Sequence, residues 1–245
     1  MFRIFFVTAL IFTITNSYAK PIVSGISSNE INIDTKFNGT NILLFGAKGD
    51  AGNIVIAVRG PKKNFLVTKK ERLLGVWYNG QRAIFDNVGS FYSLFSTFDN
   101  NKTSNELLQS LELGSANIKY DVKSNSSKKE EDNFQLQLIN KLEKDSLYSQ
   151  GANKIDFLDE TLFKVIIKFP KNIAQGVYTV EIYLINEDNL LSFQSIPIYV
   201  NQIGVSADIS KYAHQQSLLY GIFSVIIALI IGWVANYLFT KFIGK

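Results

Sequence analysis

The sequence predicts a mainly β protein: an immunoglobulin-like β-sandwich with a helical insertion, followed by one C-terminal transmembrane helix. Three observations predict it. Short β-branched and aromatic runs alternate with Gly, Asn and Pro turn residues from Glu30 to Thr97, and again from Leu162 to Val200. Between these blocks, about residues 101–154, the spacing of apolar residues becomes helical. Finally, Leu218 to Phe239 is apolar and uncharged; as a helix it measures about 33 Å, against a hydrocarbon core of about 30 Å.

The strands follow in order. Ile31 and Ile33 alternate with polar neighbours, Asn38-Gly39 turns the chain into Ile42 to Phe45, and Lys48 to Gly52 forms a loop before Ile54 to Val58. Gly60-Pro61 ends that strand, because proline cannot continue a ladder. Phe65 to Thr68 and Leu73 to Tyr78 come next, and Asn79-Gly80 reads as the hairpin turn that returns the chain through Ala83 to Phe85. Leu74, Val76 and Tyr78 point to one side of their strand and Leu73 and Trp77 to the other, so both faces are expected to be covered.

In the insertion, Thr103-x-x-Glu106 is a capping box ahead of Leu107, Leu108, Leu111 and Leu113 and predicts a short helix. Ser124 to Asp132 is polar and charged and reads as a flexible loop. Phe134, Leu136, Leu138, Ile139, Leu142 and Leu147 predict a second, amphipathic helix that ends before Gly151. Strands then resume at Leu162 to Phe169, Gly176 to Tyr183 and Leu190 to Val200, where Pro197 marks an edge or a bulge. Gly176-x-Tyr178-x-Val180 matches the tyrosine corner of immunoglobulin-like sandwiches; an ordinary cross-strand aromatic is the alternative.

Both ends bear on location. Met1 to Ala19 has the parts of a secretory signal: Arg3, the apolar stretch Ile4 to Ile14, and a Ser17-Tyr18-Ala19 cleavage site. Lys241 and Lys245 lie in a tail without acidic residues, which the positive-inside tendency places in the cytoplasm. The expected organisation is therefore a signal peptide at 1–19, a periplasmic domain at 20–205, a juxtamembrane segment at 206–217, a membrane helix at 218–239 and a cytoplasmic tail at 240–245. A single composite domain is expected, because the last three strands alone cannot bury both faces.

Composition narrows the chemistry. Setting aside Arg3, Lys241 and Lys245, the 25 Lys and Arg come within one of the 21 Asp and Glu, so nucleic acid is not an expected partner. With no cysteine, thiolate catalysis, iron–sulfur clusters and Cys-ligated zinc are excluded. His214 is the sole histidine, so H-E-x-x-H cannot be built. No cofactor or metal is expected.

Several residue groups are candidates for function. Arg59, Lys62, Lys63, Lys69, Lys70 and Arg72 could face anionic headgroups or an acidic partner, although solvated strand charges explain them more simply. Ser126-x-x-Lys129 has Ser–Lys spacing but sits in a polar stretch where nothing desolvates the amine. Asp156, Asp159 and Glu160 cluster before a strand without a calcium-loop pattern. In the membrane helix, Ser224, Ala228, Gly232 and Asn236 recur every fourth residue and form a small-xxx-small stripe on which another helix can pack. Trp233 and Tyr237 read as interfacial anchors at one boundary, Tyr220 at the other.

Phe45-Gly46-Ala47, Val58-Arg59-Gly60-Pro61, Gly75-Val76-Trp77-Tyr78-Asn79, Phe91-Tyr92 with Ser96, and Gly176 to Glu181 occur in that order, ahead of a helix containing Gly232-Trp233. This set resembles the family of alphaproteobacterial transmembrane proteins over essentially the whole mature chain. The resemblance implies a bacterial inner-membrane protein with its globular part in the periplasm. It brings no catalytic residues, and it loosely associates the chain with neighbouring permeases.

The leading expectation is a non-catalytic accessory or binding module. It engages a membrane partner, such as a transport protein, through Ser224, Ala228, Gly232 and Asn236, and presents Arg59, Trp77 and Tyr92 as a candidate surface of the globular domain. The alternatives are an envelope hydrolase using carboxylates such as Asp159 and Glu160, and a structural protein that self-associates through the stripe. A pocket that brings Asp or Glu against Arg59 or Tyr92 favours the hydrolase; dispersed carboxylates favour the module.

Overall fold

The computed structural model describes residues 22–49, 51–98, 105–124, 127–187, 189–204, 209 and 212–242. The expected signal peptide and the Thr103 cap lie outside the described residues. The strands are β1 (Ile22–Ile26), β2 (Glu30–Ile33), β3 (Thr40–Lys48), β4 (Asn53–Arg59), β5 (Lys62–Leu73), β6 (Val76–Gly89), β7 (Tyr92–Ser96), β8 (Asp121–Ser124), β9 (Tyr148–Lys154), β10 (Asp156–Phe157), β11 (Leu162–Phe169), β12 (Gly176–Asn186) and β13 (Asn189–Gln202). The helices are α1 (Asn105–Ser110), α2 (Lys128–Lys144) and α3 (Ser217–Phe242). The protein is mainly β with one C-terminal apolar helix, as the sequence predicts.

Early and late strands interleave. One sheet runs β1-β3-β11-β10, a second β2-β13-β12-β4-β7-β9, and a third β5-β6-β8. A common core joins the first two: Ile42 and Leu44 of β3 and Phe163, Val165 and Ile167 of β11 cluster with Ile54, Ile56 and Val58 of β4 and Tyr178, Val180 and Ile182 of β12. The alternating burial of β11 is the period-2 signature of a strand with one face on a core. Tyr178 is fully buried there, and its hydroxyl donates to the Ala174 carbonyl at 2.9 Å and accepts from the Ala174 N–H at 3.0 Å. This is the local closure that the Gly-x-Tyr pattern points to.

A second core covers the opposite face of the six-stranded sheet. Val55 and Ala57 of β4 and Tyr92 and Leu94 of β7 meet Phe134, Leu138 and Leu142 of α2 and Ala83, Phe85 and Val88 of β6. β4 is thus buried on both faces, which explains why Ile54 to Val58 is continuously apolar.

Gly60-Pro61 ends β4 at Arg59 as expected, although Gly60 N–H donates to Phe91 O at 2.8 Å and Ser90 N–H to Pro61 O at 2.9 Å, so the β4–β7 pairing leads directly into the β5–β6 ribbon. Proline fits because its carbonyl accepts and no ladder donor is asked of it. Four expectations are corrected. The hairpin turns at Leu74-Gly75 rather than Asn79-Gly80, since Leu73 pairs with Val76 while Asn79 pairs with Lys70 inside the ribbon. Both turn residues have positive φ, 50° and 88°, the type I′ requirement. The apolar residues around this turn are not covered on both faces; Leu73, Leu74, Val76, Trp77 and Tyr78 are all exposed.

The remaining two corrections concern the insertion. Ser124 to Asp132 is not a loop throughout, because β8 ends at Ser124 and α2 starts at Lys128 behind a Ser127–Glu130 capping box. The insertion is also not purely helical: β8 joins β6, and β9 extends the six-stranded sheet parallel to β7. Pro197 is explained by its position, because it pairs with Thr179 on one side while β2 reaches β13 only at Tyr199 to Gln202.

Candidate functional site

A polar constellation grows from the register of β4 with its neighbours. Arg59 pairs with Thr179 of β12 on one side and Tyr92 of β7 on the other, which brings Glu181 diagonally opposite Arg59. Arg59 Nε donates to Glu181 Oε2 at 2.8 Å, and the same oxygen accepts from Tyr183 OH at 2.9 Å. The guanidinium lies 5.5 Å from the centre of the Tyr92 ring, within cation–π range.

The other end of Arg59 holds the insertion down. Its Nη2 donates to Leu111 O at 2.9 Å and Glu112 O at 3.1 Å. These carbonyls follow α1, which closes in a Schellman motif: Leu113 N–H reaches Leu108 O at 2.8 Å, Glu112 N–H reaches Gln109 O at 3.3 Å, and Glu112 takes φ 51°. The cation therefore satisfies helix-end carbonyls that would otherwise lack donors. Tyr92 adds to the clamp by accepting from Gly114 N–H at 2.7 Å, and Tyr148 OH donates to Gly89 O at 2.8 Å.

These groups line a cleft of about 540 Å³, with Lys62, Lys119, Glu112 and Asp121 at its margins. Its volume is in the range of small-molecule sites. Burial opposes the charge of Arg59, but the bond and the attraction of Glu181 outweigh it, and the guanidinium is held even more firmly protonated. Burial pushes the hydroxyls of Tyr92, Tyr148 and Tyr183 up as well, so they stand as neutral donors and acceptors at ordinary pH. The arrangement presents fixed, hydrogen-bonded polar groups around the Glu181 carboxylate, with Glu112 and Asp121 also in the lining.

The expected site residues separate. Arg59 and Tyr92 meet in the cleft, whereas Trp77 lies at the far end of the β5–β6 ribbon beside Arg72, 5.8 Å from its ring. Asp159 and Glu160 sit in the exposed turn before β11, where Glu160 N–H donates to Asp159 Oδ1 at 2.7 Å, and neither lines the cleft. Of the carboxylates that do, Glu181 is the one bonded to Arg59, and neither it nor its partner Tyr183 was singled out from the sequence; only the strand register unites them with Arg59. Among the described residues, no group of His, Cys, Asp and Glu could hold a metal ion.

Ser224, Ala228, Gly232 and Asn236 lie on α3. Ser224 Oγ donates to Tyr220 O at 2.8 Å, and a Cβ added at Gly232 would meet nothing within 4 Å. Ser217–Lys241 is long and apolar enough to cross a membrane, with a mean hydropathy of 2.5.

No curated protein and no solved structure matches the chain. A family model does match, over residues 21–241, nearly the whole chain and including the apolar helix; its description reads "Putative transmembrane protein (Alph_Pro_TM)". The chain belongs to that transmembrane protein family.

Proposed function

We propose that this protein is a non-catalytic accessory or binding module of the bacterial inner membrane, with its β domain in the periplasm, its C-terminus in the cytoplasm and its partner in the bilayer. The partner is a membrane transport protein of the permease kind, met by Ser224, Ala228, Gly232 and Asn236. One observation carries this reading. α3 is apolar all round, yet Ser224, Ala228, Gly232 and Asn236 recur every fourth residue, so one face carries small side chains over which a neighbouring backbone can approach. The paired sheets are read as an immunoglobulin-like sandwich, supported by the Tyr178 closure.

Combining Ala228→Leu with Gly232→Leu places branched side chains on the stripe without reducing hydrophobicity. Full-length tagged protein, solubilised from native membranes, is expected to lose its co-purifying transport protein by more than about tenfold. Undiminished recovery of that protein would rule out the stripe as the contact. Cross-links only between copies of the chain would instead establish self-association.

The cleft favours a second reading, an envelope hydrolase in which Glu181 rather than Asp159 or Glu160 is the working carboxylate. Its support is the juxtaposition of Glu181, Arg59 and Tyr92. The same contacts also have a structural explanation, because Arg59 is already shared between Glu181 and the end of α1. Turnover of an ester or glycoside that disappears in Glu181→Gln would establish the hydrolase.

A further inference from the structure

The tip of the β5–β6 ribbon is built in a way that folding does not explain. Leu73, Leu74, Val76 and Trp77 are 64, 97, 69 and 65% exposed, a contiguous apolar tip at the end of a strand pair. Leu74 occupies a left-handed turn position at φ 50°. There Asn, Asp or Gly would be less strained and better solvated, so leucine is unfavourable on both counts. An exposed run of this kind marks a contact surface.

The flanking residues define what is contacted. Lys69, Lys70, Arg72 and Arg82 lie behind the tip; Glu71 is taken up by Tyr78 OH at 2.7 Å and Lys69 at 3.5 Å, and Glu130 of α2 also faces Lys69, which leaves a basic excess on the ribbon. Trp77 and Tyr78, amphipathic rings suited to the headgroup level, stand opposite Arg72 and Glu71. Apolar tip, aromatic collar and basic base follow one another in the order of a bilayer surface: acyl chains, interface, anionic phosphates.

Topology brings this tip within reach of a membrane. Thr179 pairs with both Arg59 and Pro197, so β4 runs into the ribbon at the same end of the sheet where β13 leads to α3. From Lys62 to Leu73 the ribbon extends about 36 Å. The segment from Gln202 to Ser217 spans at most about 50 Å, and less because Gln216 N–H closes a helical turn on Tyr212 O.

We propose that the β5–β6 hairpin docks on an anionic phospholipid bilayer, with Leu73, Leu74 and Val76 entering the interface and Lys69, Lys70, Arg72 and Arg82 meeting phosphates. The domain is thereby held against the membrane at a second point, independently of α3.

Because the chain has no cysteine, Leu74→Cys offers one labelling site for an environment-sensitive nitrobenzoxadiazole fluorophore. Full-length protein is reconstituted in nanodiscs of phosphatidylcholine alone or with 30% phosphatidylglycerol, in which Asn189→Cys, at the exposed turn at the other end of β12, is the reference site. The Leu74 label is expected to shift to the blue and be quenched by headgroup spin labels in the anionic discs, while the Asn189 label stays solvent-like. Replacing Lys69, Lys70 and Arg72 with Gln is expected to lower the docked-to-free ratio about fivefold per side chain, about 100-fold together. Solvent-like emission at Leu74 in anionic discs, or equal quenching in neutral ones, overturns the proposal; the former leaves the tip to a protein partner.

Discussion

Tyr178→Ala is expected to cost the β domain about 3–5 kcal/mol, a large share of the roughly 5–15 kcal/mol that holds a domain folded. The side chain is fully buried, and its ring stands edge-on to Phe169 at 5.6 Å and to Phe91 at 5.8 Å, while those two stack at 5.2 Å. Truncation leaves a cavity where three rings met, between β-sheets that cannot close in without breaking ladders. Tyr178→Phe separates the two contributions: it keeps the ring but leaves the Ala174 N–H and carbonyl without their partner, at about 1–3 kcal/mol. Urea unfolding followed by near-UV circular dichroism should rank the variants wild type, Phe, Ala; equal stability of Phe and wild type would mean that the hydroxyl closure contributes nothing.

Gly46→Val is expected to be at least as damaging, at more than about 3 kcal/mol. Gly46 lies in β3 between Ser24 of β1 and Phe163 of β11, and a Cβ there would stand 2.6 Å from both the Val23 carbonyl oxygen and the Phe163 ring. The oxygen belongs to a neighbouring backbone, so relief requires moving a whole strand. Gly75→Ala is the comparison: at φ 88° with nothing within 4 Å, the change strains only the turn, at about 1 kcal/mol. Both measurements come from the same unfolding curves. A Gly46→Val protein as stable as Gly75→Ala would contradict the close approach of β1, β3 and β11.

Strands whose pattern is local were legible in the sequence. β11 alternates because one face is buried, and β4 is uniformly apolar because it has a core on each side. The hairpin was misplaced because Asn79-Gly80 is the stronger local turn signal, yet the β5–β6 ladder, shifted in register between Lys63 and Phe65 and again between Thr68 and Lys70, continues past it to Leu73–Val76 and puts the turn at Leu74-Gly75. The start of α2 was missed because Lys128 to Asp132 forms its solvated first turn, where charge reads as loop although Ser127 and Glu130 cap it.

The helix ends were hidden for a related reason. α1 and α2 both stop with a non-glycine residue in the left-handed position, Glu112 and Ser146, and both bury the next leucine or pack it against the second core. The cleft was legible only in part. Arg59 and Tyr92 stand out as a basic and an aromatic residue in strands, but Glu181, Leu111 and Glu112 come to them through pairings of high sequence separation that no local spacing encodes. The membrane helix was the clearest element, since its length and apolarity need no tertiary context.

The central claim, a β domain on the periplasmic side of the inner membrane anchored by one C-terminal span, is tested most directly by cysteine accessibility in the otherwise cysteine-free chain. Asn189→Cys is expected to react with a membrane-impermeant maleimide in intact spheroplasts, and Lys245→Cys only after lysis. Labelling of Lys245→Cys before lysis, or protection of Asn189→Cys until lysis, would contradict the account.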